Sequence, residues 1–325
     1  MESFLSDIIQ KDGEKMGRTM VIDRLAFGNY EDMSFLSPYF NILKIGWTLP
    51  NLLDEQTLRS RVSKFREHSL HVSNGGTLLE VAVSRMRHID AIRKLIDTGF
   101  DTIELSEGTI DIPDRIKMEI AEFVHSNGLK LNFEVGKKNP RNQLSLTETI
   151  ERANAAMDLE PDLIIIEGRE SGRSVEIYDD NGEIKWDWVT SILESVSLEK
   201  IMFEAPMEKQ QIEFVIRLGY EVNLGNVDIR SVAALETQRR GLRGDTFGIF
   251  RDSSNVTGAP ATKFVYYVIS NRGPIDQNSI IQITGLKRKT VQNSIKILIE
   301  NGLIRETVDR NDLRKKVYLL NLLRK

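Results

Sequence analysis

Four short apolar runs in the middle of the chain each contain a glutamate at or near their end. Short runs rich in branched residues are typical of parallel strands that are buried on both faces. Because α/β folds build their sites where such strands end, four carboxylates at four strand ends predict a shared anionic or metal-binding site. The runs are Thr102–Gly108, Leu131–Lys138, Leu163–Arg169 and Ile201–Pro206, and their glutamates are Glu107, Glu134, Glu167 and Glu204.

The same strand form recurs four more times, at Met20–Arg24, Asn41–Gly46, Leu70–Gly76 and Glu221–Asn226. Eight strands in about 245 residues, with amphipathic helices in most of the gaps, match an α/β fold of the (β/α)8 TIM-barrel type. An open doubly wound sheet is the alternative, but the segment after the first strand lacks the glycine-rich phosphate-binding turn usual there. The predicted helices are Asp54–His68, Leu78–Thr98, Pro113–Ser126, Ser145–Leu159, Trp186–Ser195, Glu208–Leu218 and Arg230–Gly241.

The amino-acid composition limits the classes of protein to which the chain can belong and the kinds of metal site that it can form. At 325 residues, 40% of them hydrophobic, the chain can bury a full core and leave room for a second small domain. No run of 18 apolar residues and no signal-peptide pattern occur, so we expect a cytoplasmic protein without a membrane partner. The absence of cysteine excludes thiolate sites, and the 4 histidines show no paired ligand spacing. Any metal is therefore expected to have oxygen ligands, which favours Mg²⁺ over Zn²⁺.

The charge of the chain is unevenly distributed along its length. Residues 261–325 carry 13 Lys and Arg against 5 Asp and Glu, a net charge of +8, whereas the remainder has a net charge of −12. Residues 251–260 are polar and contain Gly and Pro, which is typical of a linker. The sequence thus predicts a barrel domain over 1–250, a linker over 251–260 and a small basic domain over 261–325.

The basic segment has a helix and strand pattern of its own. Helices are predicted at Thr262–Asn271, Asp276–Ile283 and Lys289–Asn301, followed by strands at Leu303–Thr307 and Lys316–Leu320. Three helices and a hairpin resemble a winged helix-turn-helix domain, which implies binding of duplex DNA. The alternatives are that the basic residues solvate a small domain or contact another protein chain. The residues expected to contact DNA are Lys287, Arg288, Lys289 and Gln292 in the recognition helix and Arg310, Arg314 and Lys315 in the wing.

Motifs spread over the barrel segment resemble the phosphosulfolactate synthase family, in order and with matching spacing from about Met20 to Phe247. This resemblance implies a Mg²⁺-dependent TIM barrel that adds sulfite to phosphoenolpyruvate, a reaction of coenzyme M or sulfolactate biosynthesis. The winged-helix segment lies outside it. The motifs are Lys44–Trp47, Gly75–Glu80, Glu134–Lys138, Ile166–Gly172, Phe203–Pro206, Val222–Asn226 and Leu235–Phe247.

The family chemistry suggests a role for each type of site residue. Lys137, in the Glu-Val-Gly-Lys-Lys motif, is the expected general acid, with pairing to a substrate anion as the alternative. The metal-ligand candidates are Glu104, Glu134, Glu167 and Glu204, of which one or two are expected to pair with Lys or Arg instead. The phosphate, carboxylate and sulfite of the substrates are expected to be bound by Lys44, Arg169, Arg173, Gly168, Gly172, Gly225 and Asn226.

A second class of function is a transcriptional regulator, in which the barrel senses a phosphorylated metabolite and the winged helix binds DNA. The presence of Lys137 and of all the glutamates favours the enzyme. The motif loops depart from the family pattern at Thr48–Pro50, where Gly-Thr-Ser is usual, and at Arg173-Ser174, where Lys-Gly is usual. A homo-oligomer is expected.

Overall fold

The computed structural model describes residues 16–24, 35–246, 259–308 and 315–320. Within them, eight parallel strands form a closed barrel in which strand order follows the chain and β8 returns to pair with β1. The predicted TIM-barrel topology is confirmed. The strands are β1 (Thr19–Asp23), β2 (Ile42–Ile45), β3 (His71–Asn74), β4 (Thr102–Ser106), β5 (Lys130–Val135), β6 (Leu163–Ile166), β7 (Ile201–Glu204) and β8 (Asn223–Val227).

Helices fill most of the gaps between these strands, and local signals fix several of their ends. The helix after β2 begins where the Asp54 side chain accepts a hydrogen bond from Thr57 N at 2.9 Å. The helix after β5 begins with a reciprocal capping box between Ser145 and Glu148. In chain order the helices are α1 (Glu55–Glu67), α2 (Gly76–Ser84), α3 (His88–Thr98), α4 (Asp114–Ser126), α5 (Leu146–Ala156), α6 (Trp186–Ser195), α7 (Glu208–Leu218) and α8 (Val232–Arg239).

One helix prediction is wrong in its extent. The apolar periodicity of Leu78–Thr98 indicated a single helix, but the structure divides it into α2 and α3. Met86 adopts a left-handed backbone conformation with φ 54°, which no helix interior accommodates, and Arg87 N donates to Ala82 O instead of continuing the helix. Periodicity alone does not detect such a break, because both helices present apolar residues to the same core.

The barrel interior changes from apolar to charged along its axis. Side chains two residues apart on a strand share a face, so Ile42 and Lys44 both point inward, as do Met202 and Glu204. The apolar members of the interior pack into one buried cluster formed by Met20, Ile42, Leu163, Ile165 and Met202. The strands β1, β2, β6 and β7 thereby each place their next inward side chain on the carboxyl-end side of that cluster, where barrels carry their sites.

The chain divides into two compact units. One consists of Gly17–Gln211 and Asn223–Ala234, and the other holds Ile212–Val222 and the described residues from Leu235 onward. All eight barrel strands and all the site residues considered below lie in the first. None of the helices in the described ranges is long and apolar enough to cross a membrane.

The C-terminal residues form three helices and a small antiparallel sheet. The elements are α9 (Pro260–Arg272), β9 (Ile275–Asp276), α10 (Gln277–Thr284), α11 (Arg288–Glu300), β10 (Ile304–Val308) and β11 (Lys316–Leu320), with sheet order β10-β11-β9. The three helices and the hairpin strands are those that the sequence predicted, whereas β9 was not. Buried Val265, Ile280, Val291 and Leu298 belong to a common core. Residues 251–258 of the predicted linker, and Arg310 and Arg314, lie outside the described residues.

Candidate active site

Four buried glutamates converge at the carboxyl end of the barrel. Glu104 lies in β4, Glu134 in β5 and Glu204 at the end of β7, and Glu167 directly follows β6. Their exposed fractions are between 0% and 2%. The structure therefore brings together all four of the predicted metal-ligand candidates.

Lys44 of β2 lies in the centre of three of these carboxylates. Its ammonium is 2.9 Å from Glu104 Oε1, 3.1 Å from Glu134 Oε2 and 2.9 Å from Glu204 Oε1. Burial alone would lower the pKa of Lys44, but the three glutamates outweigh it and raise that pKa well above its usual range. Lys44 was predicted to bind substrate, and in this arrangement all three of its ammonium contacts are with glutamates.

A second lysine, Lys138, approaches the same cluster from the turn after β5. Its ammonium is 3.0 Å from Glu134 Oε1 and 3.8 Å from Glu167 Oε2, and it donates to Thr77 Oγ1 at 2.9 Å. Burial opposes its charge, but Glu134 and Glu167 prevail and raise its pKa. Lys138 is 30% exposed, so it lies between the buried carboxylates and solvent.

The charges of this cluster do not cancel. Four carboxylates and two ammonium groups leave two negative charges in excess when all are ionised. Burial, together with neighbouring Glu134, raises the pKa of Glu104 to about 8, and burial with the same neighbour raises that of Glu167 well above its usual range. For Glu134, Lys138 and Lys44 outweigh burial and hold the pKa low. Without a further cation, the cluster relieves its excess charge by retaining protons.

Three of the four carboxylates are spaced so that they could hold a metal ion. One carboxylate oxygen from each of Glu134, Glu167 and Glu204 lies within 4.8 Å of the others. Among the described residues, buried Glu104 Oε2 and Glu167 Oε2 have no hydrogen-bond partner. Carboxylate oxygens are the ligands that Mg²⁺ prefers, and a divalent cation would balance the two excess charges.

The turn of the Glu-Val-Gly-Lys-Lys motif directs its two lysines to different places. The Lys137 ammonium contacts Glu107 O and Asp111 Oδ1, both at 2.8 Å, in the loop after β4. Gly136 makes this turn possible: its φ is 139°, and a Cβ there would lie 2.4 Å from Glu167 Cβ. The structure therefore brings Lys138, and not the predicted Lys137, to the glutamate cluster.

Glu107 does not join the other glutamates, contrary to the strand-end pattern that singled it out. Its Oε1 accepts a hydrogen bond from Ile112 N at 2.8 Å, and its Oε2 lies 3.3 Å from Lys117 Nζ and 3.6 Å from Arg152 Nη1. The reason is strand parity: Glu104 and Ser106 are inward residues of β4, so the next residue points away from the barrel axis. Glu107 instead holds the loop in which Asp111 contacts Lys137.

The predicted anion-binding side chains lie along the loops after β6 and β8. Arg169 N donates to Glu167 Oε1 at 2.7 Å, and Asn226 Nδ2 contacts Arg169 O at 3.1 Å and Glu204 Oε2 at 3.3 Å. Arg173 is exposed. Within the described ranges, neither the Arg169 nor the Arg173 guanidinium has a carboxylate partner. Among these residues, the glutamate cluster thus engages neither guanidinium group.

The three glycines predicted to approach a phosphate have packing roles in this structure. A Cβ at Gly168 would lie 2.5 Å from Glu204 O, and Gly168 N donates to Glu204 Oε2 at 3.0 Å. At Gly172, with φ 59°, it would lie 2.7 Å from the Gln210 amide, and at Gly225 it would lie 3.0 Å from Met20 Cε in the barrel core. Gly168 thus positions Glu204, and Gly225 makes room for methionine.

Sequence reasoning missed two buried polar contacts, of which the first supports a site residue directly. Asn74 holds the backbone of Glu104, accepting from Glu104 N and donating to Glu104 O, both at 3.0 Å. Asp23, at the end of β1, forms a buried two-bond ion pair with Arg61, at 2.6 Å and 2.7 Å. The run Asp23-Arg24 after the first strand was a detectable signal, but nothing in the sequence indicated that α1 supplies the partner.

Comparison with known proteins decides the family. A sequence model of the (2R)-phospho-3-sulfolactate synthase (ComA) family matches residues 9–245. The chain belongs to the phosphosulfolactate synthase family. The phosphosulfolactate synthase of Methanocaldococcus jannaschii is 34% identical over 236 residues, which cover 71% of this chain and 94% of that protein.

Two further relatives support the same assignment. The phosphosulfolactate synthase of Methanothermobacter thermautotrophicus is 34% identical, with coverage of 72% of this chain and 92% of that protein. That of Bacillus subtilis is 33% identical, with coverage of 65% and 83%. The protein is an enzyme of the phosphosulfolactate synthase type. The family match ends at residue 245, before α9 begins, so it does not include the C-terminal helices and sheet.

Proposed function

We propose that this family member adds sulfite to phosphoenolpyruvate and forms (2R)-phospho-3-sulfolactate, with Mg²⁺ as cofactor. The observation that carries the proposal is the buried cluster of four glutamates with Lys44 and Lys138, located where barrels of this kind carry out their chemistry. The four carboxylates exceed the two ammonium groups by two charges, which supports a divalent cation held by Glu134, Glu167 and Glu204.

The reaction places specific demands on the residues around the substrate. The sulfur lone pair of sulfite attacks the methylene carbon, the carbon–carbon double bond shifts toward the carboxylate, and a proton is added to the carbon that bears the phosphate. A carbon–sulfur and a carbon–hydrogen bond form, and the phosphate stays attached. The divalent cation would stabilise the negative charge that collects on the carboxylate during this addition.

We propose Lys138 as the proton donor. A donor must be protonated and must lie beside the group where negative charge develops. The glutamates keep Lys138 protonated, and its ammonium is 3.0 Å from Glu134 of the proposed metal site. Lys137, which the sequence suggested for this role, contacts Glu107 O and Asp111 instead. Its position supports a role in holding the turn from which Lys138 projects.

The substrate anions require cations that the glutamates have not already engaged. Arg169 and Arg173 meet this requirement, and the Asn226 amide lies between Arg169 O and Glu204. We propose that the two arginines bind the phosphate and the sulfite or the carboxylate. Lys44, with three glutamates around its ammonium, is proposed to position those carboxylates rather than to bind substrate.

The proposal is tested by incubating the purified protein with phosphoenolpyruvate, sulfite and Mg²⁺ and detecting phosphosulfolactate by mass spectrometry. Omission of sulfite and addition of EDTA are the controls, and each is expected to abolish product formation. The Glu167→Gln protein, with one proposed ligand weakened, is expected to need a higher Mg²⁺ concentration for half-maximal rate. Full turnover in EDTA would refute the metal assignment, and no product in any condition would refute the reaction.

A further inference from the structure

The C-terminal elements carry features that the barrel reaction does not use. Residues 261–325 have a net charge of +8 in a chain whose total is −4. They lie beyond the family match, and their described buried residues form one core, against which Ile216 of α7 also packs. A strongly basic segment on an acidic protein indicates a polyanionic partner.

The exposed face of α11 concentrates this positive charge. Arg288, Lys289, Gln292 and Lys296 are all exposed, whereas Val291, Ser294, Ile295 and Leu298 on the other face are buried. The single carboxylate of this helix is Glu300 at its end, 3.8 Å from Lys296. The face is therefore basic and polar along a 13-residue helix.

The start of α11 is electrostatically unfavourable in the isolated chain. Lys287, Arg288 and Lys289 lie at its N-terminus, where the helix dipole is positive and each further positive charge is unfavourable. In the same segment, Asp276 caps α10 by accepting from Asn278 N at 3.0 Å and Ser279 N at 3.2 Å. α11 has no side-chain cap and no acidic residue in its first turn. Phosphate groups would be attracted to this concentration of positive charge.

We propose that the C-terminal segment is a winged helix-turn-helix domain that binds duplex DNA, with α11 as its recognition helix. α10 and α11 are joined by a short turn in which Gly285 has φ 68°, and the antiparallel strands β10 and β11 follow α11. A 13-residue helix is about 20 Å long and fits the major groove. Lys287, Arg288 and Lys289 contact phosphates, and Gln292 and Asn293 face the base edges.

The surface fits a duplex better than a single strand. Proteins that bind single strands stack bases on exposed aromatic rings. In the described part of this segment, Phe264, Tyr266 and Tyr318 are buried and Tyr267 is half-buried. The predicted wing contact Lys315 is left out of the surface, because its ammonium is paired with Asp276 at 2.8 Å.

Fluorescence anisotropy of the full-length protein with a labelled 30-base-pair duplex of mixed sequence, between 50 and 200 mM NaCl, tests the proposal. We expect affinity to fall steeply with salt, by about tenfold or more over this range. The triple variant Lys287→Ala, Arg288→Ala, Lys289→Ala is expected to bind at least tenfold more weakly at 100 mM NaCl. Its logarithmic salt slope should decrease by about three.

A matched control variant distinguishes binding through the basic face of α11 from nonspecific electrostatic attraction between the protein and DNA. Lys64→Ala, Lys94→Ala, Arg115→Ala removes the same charge from exposed positions of the barrel helices and should leave binding unchanged. Circular dichroism verifies folding, and if the first triple variant is unfolded, Lys289→Gln, Lys296→Gln takes its place. Absence of binding at 50 mM NaCl, equal losses in both triple variants, or tighter binding of a single-stranded RNA of the same length would overturn the proposal.

Discussion

At the scale of single residues, we expect Lys137 and Lys138 to have different roles, with Lys138 as the proton donor. We expect Lys138→Ala to lower kcat by roughly 10²-fold or more with a smaller change in KM, as loss of a general acid does. Lys137→Ala should lower kcat by less than about tenfold, because its ammonium contacts a loop carbonyl and Asp111. Steady-state kinetics of the two variants side by side distinguishes them. A large kcat loss confined to Lys137→Ala would restore the assignment that the sequence suggested.

The raised pKa of Glu104 makes the stability of the folded protein depend on pH. Its pKa is about 8 in the fold against an ordinary value of 4.5, so between these values the folded state holds a proton that the unfolded state has lost. Stability therefore decreases as pH rises through this window. We expect the free energy of unfolding in urea and EDTA to fall between pH 6 and pH 8. The decrease should be shallower for Glu104→Gln, and equal slopes would argue against the raised pKa.

At the scale of elements, the backbone conformation of the turn after β5 affects the geometry of the glutamate cluster. We expect Gly136→Ala to destabilise the fold by about 3 kcal/mol or more, because φ is 139° and the new Cβ would lie 2.4 Å from Glu167 Cβ. Gly128→Ala is the matched control, with φ 70° and open space around the Cβ, and should cost only about 1–2 kcal/mol. Urea denaturation measures the free energy of unfolding of both variants. Similar decreases in the two would show that small shifts of neighbouring atoms relieve the contact with Glu167.

The strands and helices also show where predictions from sequence patterns are wrong. The strand-end pattern placed Glu134 and Glu204 at the carboxyl end of the barrel, and both point inward there because residues two apart on a strand share a face. It failed for Glu107, since Glu104 is the inward residue of β4 and Glu107 lies on the other parity. The break between α2 and α3 escaped detection because a left-handed Met86 leaves no mark on the apolar pattern.

At the scale of the whole molecule, the predicted self-association is open to direct measurement. Phe35, Leu52 and Met86 are 82%, 76% and 69% exposed, and a subunit contact at these side chains would remove apolar surface from water. We expect light scattering after size-exclusion chromatography to give a mass of two or more times the 37.1 kDa of one chain. A mass of 37.1 kDa at micromolar concentration would contradict the prediction, and Leu52→Ser with Met86→Ser tests whether these side chains form the contact.

The sequence by itself determined the barrel, the glutamates at its carboxyl end and the separate basic C-terminal segment. The periods of strands and helices and the charge of a segment are local properties. They can be recognised from residues that are near one another in the sequence. The family motifs extended that reading to the reaction, because they combine residue type with spacing over more than two hundred positions.

Only the tertiary structure decided which side chains meet. That Lys44 lies among Glu104, Glu134 and Glu204 depends on the barrel register, which brings together residues up to 160 positions apart. That Lys138 and not Lys137 reaches the cluster depends on one glycine torsion and on the space beside Glu167. Contacts of this kind are set by the closure of the barrel and the packing of its loops, which no short stretch of sequence encodes.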